Sequence, residues 1–318
     1  MRTVHVTAQG ANLRLSGECL EVWLERERLA VVPVNVLETI VVHGSALLTP
    51  AAMNRVLSGA IACVFLTQDG RLKGRLEPFG HPAARLRARQ ALVHATPAAR
   101  LVIARRVVLN RLHSQLRVLR AWRCPQQQDL PALLARVRTA ASLDELRGIE
   151  GWATRQYFAA VRERFGVERW QRHRRPPRDP LNALLSYGYA LLLRPAWSAI
   201  ATIGLDPYLG MLHEPSRGQP AAVLDLIEEF RAPLVDFLVF PLFARLRQQD
   251  DWWEPHGEGV RLTWDVRKRL IEQFEARLLR RTRYRPSGRR ETVARVFELR
   301  ARDLARAIQG QGALKPAW

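Results

Sequence analysis

The hydrophobic period of this sequence changes once, at Glu77-Pro-Phe-Gly-His-Pro82, and that change limits the folds open to it. Upstream, short apolar and alternating runs occupy 3–7, 11–15, 20–24, 29–32, 37–43, 62–66 and 71–76. A period of two puts successive side chains on opposite faces, as in half-buried strands, and Gly-bearing or charged turns such as Asp69-Gly70 separate the runs. One short helix interrupts them, opened by Thr49-Pro-Ala-Ala with the threonine as its cap. Downstream the apolar residues recur at helical spacing, which predicts helices at about 83–95, 97–122, 129–140, 142–165, 180–203, 220–231, 234–249, 264–283 and 289–309. The six residues between hold two prolines and a glycine and read as a linker. The expected architecture is α+β: a small N-terminal β-rich domain over 1–76, a linker over 77–82 and a larger all-α domain over 83–318. The polar tail after Gly310 is expected to fray.

Charge narrows the partners. Lys and Arg number 50 against 30 Asp and Glu, a formal charge of +20, and only Lys73, Lys268 and Lys315 of those fifty are lysines. An excess of this size predicts a polyanionic partner, nucleic acid before membrane, and arginine suits bidentate phosphate contacts. Arginines crowd 85–123, 172–178 and 277–302. The middle run is a proline-broken loop, and Arg172, Arg174, Arg175 and Arg178 on it are candidates to drape over DNA phosphates. Cys19, Cys63 and Cys124 are odd in number and lack metal-ligand spacing, so they read as reduced thiols of a cytoplasmic protein. No signal peptide opens the chain and no apolar run is long enough to span a bilayer, so no membrane partner is expected.

Two stretches hold the candidate chemistry. From Pro220 to Arg231 nothing breaks a helix, and Asp225, Glu228 and Glu229 fall at i, i+3 and i+4, neighbours on one side. Three adjacent carboxylates repel one another unless something positive sits among them. Val223, Leu226, Ile227 and Phe230 cover much of the remaining surface. Either the acids form a solvated edge, or they form a site together with the nearby His213. The second stretch begins with Ser142-Leu-Asp-Glu145, a capping box. Leu143, Leu146, Ile149, Ala153 and Tyr157 make an apolar stripe, and Glu150 falls beside it between Gly148 and Gly151. Each interior glycine costs about 1 kcal/mol relative to alanine, so two around one carboxylate point to close helix packing or to something bulky approaching the backbone.

Four motifs in order then carry a resemblance: Arg-Gly-Ile-Glu150-Gly; Asp179-Pro-Leu-Asn-Ala-Leu-Leu-Ser-Tyr-Gly-Tyr189; Gly204-Leu-Asp-Pro-Tyr-Leu-Gly-Met-Leu-His213; and Leu224-Asp-Leu-Ile-Glu-Glu-Phe-Arg231. Together with the N-terminal strands and Leu47-Leu-Thr-Pro-Ala-Ala52, the chain resembles the CRISPR-associated Cas1 family, the integrases of spacer acquisition, over nearly its whole length. The resemblance implies a β-rich N-terminal domain, an α-helical catalytic domain, a homodimer and assembly with the small Cas2 subunit. It places metal ligands on Glu150, His213 and Glu228. The last position is Asp in many members, and Glu keeps a hard oxygen on a longer arm. Asp225 matches a further acidic position, as a direct ligand or behind one. Asn182, Ser186 and Tyr187 match a motif lining the same region, with Asn182 and Tyr187 candidates for DNA contact.

The implied reaction is attack by a DNA 3′-hydroxyl on a phosphodiester of the CRISPR repeat; with water in place of the hydroxyl, the same site is a nuclease. Transesterification needs no ATP, and the sequence has no P-loop. Two carboxylates and a neutral imidazole suit Mg²⁺ or Mn²⁺, and the imidazole favours Mn²⁺. His213 could instead act as general base. The competing classes are a non-catalytic basic DNA-binding scaffold, for which clustered acids have no use, and a hydrolase of small phosphate esters, against which the charge of +20 counts.

Overall fold

The computed structural model describes residues 2–318 except 60, 69–71, 77–82, 125–129, 174–175 and 217. The expected linker and the Asp69-Gly70 turn lie outside the described residues. The chain divides into two compact units, Met1–His81 and Pro82–Trp318.

In the first unit the alternating runs form strands β1 (Arg2–Val6), β2 (Ala11–Ser16), β3 (Cys19–Leu24), β4 (Glu27–Pro33), β5 (Leu37–His43), β6 (Ala46–Leu48), β7 (Ala62–Leu66) and β8 (Leu72–Leu76), with helix α1 (Pro50–Ser58) before β7. One four-stranded sheet has the order β1-β5-β7-β8, the other β4-β3-β2-β6. β1, β5 and β7 run parallel, and β8 closes the sheet antiparallel. Leu13, Leu20, Ile40, Val42, Val56 and Cys63 share one buried cluster. Thr49 caps α1, its hydroxyl accepting from the Ala52 N–H at 3.4 Å. β6 was not expected; three residues are too few to show a period, and it exists by pairing parallel to β2. Burial pushes the Cys63 thiol up to about 12, and among the described residues none of the three cysteines is in a disulfide.

In the second unit the helices are α2 (Ala84–Ala95), α3 (Pro97–Ala121), α4 (Leu130–Thr139), α5 (Leu143–Phe165), α6 (Pro180–Ile203), α7 (Ala221–Phe230), α8 (Phe237–Leu246), α9 (Trp264–Leu279) and α10 (Val293–Ile308). Their ends follow local chemistry. Ser142 accepts from the Glu145 N–H at 3.1 Å, and Gly166 ends α5 at φ 63°. Asp179 caps α6 with Pro180 behind it, and Gly204 ends it at φ 86°. α7 packs against α3, α6 and α10. Among the described residues no helix is long and apolar enough to cross a membrane.

Four features of this unit differ from expectation. α7 and α8 are not separate helices: a π-helical turn over Arg231–Asp236 joins them, and it contains Pro233, which has no N–H to give to an α-helical ladder. The helix expected to reach 283 stops at Leu279, and β11 (Arg281–Arg283) pairs antiparallel with β12 (Arg290–Thr292). The arginine-rich run there has no apolar stripe to hold a helix to the core. Residues between the expected helices form a second hairpin, β9 (Trp253–His256) with β10 (Gly259–Leu262), turning at Gly257 with φ 56°. The tail does not fray. Leu314 and Ala317 are buried, the Arg285 N–H donates to Ala317 O at 2.9 Å, and Arg300 Nη1 donates to Lys315 O at 2.6 Å. The polar appearance of the tail hid its three anchors, Leu314, Ala317 and Trp318.

Candidate active site

All three carboxylates of α7 are buried, which removes the solvated-edge reading. Each has its own partners. Asp225 accepts from the backbone N–H groups of Met211, Leu212 (3.0 Å) and His213 (2.9 Å), and from His213 Nδ1 at 2.7 Å. A carboxylate on Nδ1 fixes the tautomer, leaving Nε2 as the lone-pair nitrogen. That nitrogen faces Glu228 Oε1 across 3.9 Å. Burial pulls the imidazole pKa down, but Asp225 and Glu228 outweigh it and leave it above the ordinary value.

The segment leading to His213 is irregular, and side chains of three helices hold it. From α2, Arg87 Nε donates to Gly204 O (3.1 Å), Gln90 Nε2 to Asp206 O and Leu209 O (2.9 and 2.7 Å), and His94 Nδ1 bonds Gly210 O (2.6 Å). The Asp206 N–H returns a bond to Gln90 Oε1 at 2.7 Å. From α3, Arg100 Nε donates to Met211 O at 2.8 Å; from α5, Arg147 Nη2 donates to Leu212 O at 3.1 Å. Buried loop backbone needs such partners, because an unpaired buried peptide group costs about as much as a lost hydrogen bond. Gly210 is required here, since a Cβ would lie 2.8 Å from Ala221 and from His213 O.

Glu228 meets two guanidiniums. Arg231 Nη1 donates to Oε1 at 2.9 Å, and Arg111 Nη1 lies 2.6 Å from Oε2. Burial opposes ionisation, but Arg111, Arg231 and His213 outweigh it and hold this carboxyl down at about 2. Glu150, on α5, contacts the same Arg111 Nη1 through Oε1. Thr154, one turn on, donates to Glu150 Oε1 at 3.0 Å and accepts from Arg111 Nη2 at 2.8 Å. The Glu150 side chain is 23% exposed against 1% for Glu228, so it forms the open edge of the cluster. A Cβ at Gly148 or Gly151 would meet nothing within 4 Å among the described residues. Helix packing therefore does not require these glycines.

Glu229 belongs elsewhere. Arg300 Nε donates to its Oε2 at 2.8 Å and the Ala317 N–H to its Oε1 at 2.5 Å, tying α7 to α10 and the tail.

Among the described residues no three His, Cys, Asp or Glu side chains gather closely enough to share a metal ion; Arg111 stands between Glu150 and Glu228. The donor chemistry nevertheless fits a divalent cation. Glu228 Oε2 is buried with no hydrogen-bond partner among the described residues, only the charge contact with Arg111. Hard oxygens of Glu150 and Glu228 with the oriented Nε2 of His213 make a set that Mn²⁺ or Mg²⁺ accepts.

Of the residues expected to meet DNA, Asn182 and Tyr187 are buried, which corrects that assignment. Asn182 Oδ1 accepts from the His173 N–H at 3.0 Å and Arg172 Nη1 at 2.8 Å, and its Nδ2 donates to Gln171 O at 2.8 Å, so it shapes the basic loop from behind. Arg172 is half-buried and also donates to Ser186 Oγ at 3.2 Å. Arg178 is exposed, and Arg174 and Arg175 lie outside the described residues. Sequence reasoning missed Arg111, Arg231 and Thr154. The available signals were the polar pair Asn110-Arg111 set between the apolar Val107-Val-Leu109 and Leu112, and Arg231 three residues after Glu228. Arg231 also lies over the Tyr189 ring at 4.1 Å, and the Tyr189 hydroxyl donates to Asp236 Oδ1 at 2.5 Å.

A β-rich unit and a helical unit that gathers two carboxylates and an oriented imidazole around buried arginines define a class, and the chain's relatives name it. The family described as CRISPR associated protein Cas1 matches residues 4–276. The chain is 38% identical over 319 residues to a CRISPR-associated endonuclease Cas1 of Thermus thermophilus, covering 99% of both chains. It therefore belongs to the Cas1 family. A casposase bound to integration product shares the fold with a TM-score of 0.87 at 22% identity, covering 100% of this chain and 94% of that one. A Cas6-RT-Cas1–Cas2 complex does so at 0.82 and 22%, covering 100% of this chain and 36% of that one.

Proposed function

We propose that this protein is a metal-dependent DNA endonuclease and integrase that inserts spacers into a CRISPR array by 3′-hydroxyl attack on repeat phosphodiesters. The observation that carries this is Glu228, an ionised carboxylate kept inside the protein with one oxygen lacking a hydrogen bond, beside Glu150 and facing the oriented Nε2 of His213. Relatives named endonucleases and a neighbour solved on an integration product support the reaction class.

Glu150, His213 and Glu228 would hold a Mn²⁺ or Mg²⁺ ion, and Asp225 acts on it only through His213. When bound, such an ion supplies Lewis-acid polarisation of the scissile phosphate. Arg231 keeps Glu228 ionised, and Tyr189 and Asp236 keep Arg231 in place. Arg178 and the surrounding positive surface track phosphates without reading bases. The helical unit is the catalytic domain. The β-rich unit contributes to a homodimer, for which the exposed Leu29 (44%) and Val31 (46%) on β4 offer apolar surface. Two DNA ends must be joined at two sites, which a single centre does not achieve. Cas2 is the assembly partner, and the cytoplasm, where free thiols persist, is the compartment.

Incubating the protein with branched DNA, with Mn²⁺ or with chelator, tests the reading. Metal-dependent nicked and joined products are expected. Tight DNA binding with no product at any metal concentration would leave a binding scaffold in place of an enzyme.

A further inference from the structure

Arg111 is the residue of this site for which neither DNA contact nor metal ligation accounts. It lies on α3, almost wholly buried, and its guanidinium spends its donors inward. Nη1 touches both Glu150 Oε1 and Glu228 Oε2, and Nη2 donates to Thr154 Oγ1. A guanidinium keeps its charge at every physiological pH, so these carboxylates always have a cation between them. Arg231 already neutralises the other oxygen of Glu228, so Arg111 is not the sole counter-charge there. It is, however, the group that spans the two carboxylates assigned to the metal.

We propose that Arg111 competes with the divalent ion for Glu150 and Glu228, and that a DNA phosphate relieves the competition by giving the guanidinium another partner. Metal occupancy is then coupled to DNA occupancy. This rests on the metal-dependent reading of the site given above. Three features support the exchange. Phosphate matches a guanidinium bidentately, so Arg111 can leave the carboxylates without losing ionic partners. Glu150 is the exposed edge of the cluster, 23% open at its side chain, so a phosphate can approach on that side. Arg172 and Arg231 line, with Arg111, a water-sized cavity of about 20 Å³, so further positive charge stands close behind Arg111 and adds to the attraction for a phosphate. By linkage the coupling is reciprocal: metal must tighten DNA as much as DNA tightens metal. A nuclease built this way holds its metal weakly until DNA is present.

Mn²⁺ binding, read from loss of the free-ion electron paramagnetic resonance signal, tests this with and without a short duplex. Glu150→Gln serves as the blank for ions that the DNA itself holds. In the wild type, duplex should tighten Mn²⁺ by roughly 5-fold or more, the lower end of common coupling. Arg111→Met should bind Mn²⁺ about tenfold tighter without DNA, and duplex should then add less than twofold. Arg111→Lys keeps the charge needed for folding but cannot span both carboxylates and Thr154. It should shift in the same direction by a smaller factor, so the test stands even where the methionine variant does not fold. A wild-type affinity indifferent to duplex, or a duplex effect that persists unchanged in the Arg111 variants, overturns the competition while leaving the metal site standing. Equal Mn²⁺ binding by Glu150→Gln and wild type overturns both.

Discussion

Glu228 and Glu229 are consecutive residues of one helix, both are buried, and their surroundings drive them in opposite directions. Glu228 faces Arg111, Arg231 and His213 and is held at about 2; Glu229 faces Arg300 with Asp303 close by, and burial leaves it above the ordinary carboxylate value. The difference lies in the number of cations set against the same desolvation. Glu228 is kept charged more firmly than structure alone requires, and one of its oxygens lacks a hydrogen bond. Glu229 has every contact it needs to tie α7 to α10 and the tail, with no oxygen left to offer. One carboxylate is arranged for a ligand and its neighbour for the fold.

The largest test of that contrast is Glu228→Gln against Glu229→Gln. The first should lower metal-dependent cleavage and joining by about three orders of magnitude, ~4 kcal/mol of barrier, while DNA binding survives or tightens. The second should leave the rate within a few fold. Cleavage gels beside a binding titration decide it, and equal losses would dissolve the distinction. Next in size is Arg300→Met, which strands Glu229 in the interior and should destabilise the fold by about 3–5 kcal/mol by urea denaturation. Adding Glu229→Gln to it should recover much of that loss. Asp225→Asn should weaken Mn²⁺ binding by about 10–100-fold through loss of imidazole orientation, with activity returning at high Mn²⁺. An inactive variant that no Mn²⁺ concentration rescues would make Asp225 a direct ligand.

The smallest effect is in pH. Glu228, lowered in the fold, adds stability that is complete above its unfolded value of 4.5 and fades as pH falls toward about 2. Glu229, raised in the fold, lowers stability above its folded value, and that penalty disappears as pH falls to 4.5. Melting temperatures of the two Gln variants relative to wild type should therefore change in different windows, below 4.5 for Glu228→Gln and above it for Glu229→Gln.

The strands and helices were legible wherever one period ran long enough. β5, α3, α5 and α6 lie within a residue or two of their expected limits, and the expected capping residues Thr49 and Ser142 act as such. What escaped was structure made by pairing or by neighbours. β6 exists through β2, β11 through β12, and the π turn through Pro233. The acids of the site were visible as a pattern on one helix. Their cations were not, because Arg111 reaches them from α3 and no sequence spacing relates residue 111 to 150 and 228. Asn182 misled for the related reason that a polar residue in a motif can face inward and bind only its own chain.

The loop ahead of His213 has a consequence for transplantation. Five carbonyls between Gly204 and Met211 are bound by side chains of Arg87, Gln90, His94 and Arg100, all from α2 and the start of α3. Grafted alone into another helical scaffold, the segment would keep its sequence and lose its shape, because its conformation is written in residues more than a hundred positions earlier. The smallest portable unit that delivers a correctly turned imidazole is this segment together with Asp225, the face of α2 and α3 that grips it and Arg147 of α5. A chimera between two members of the family should exchange those pieces as a set.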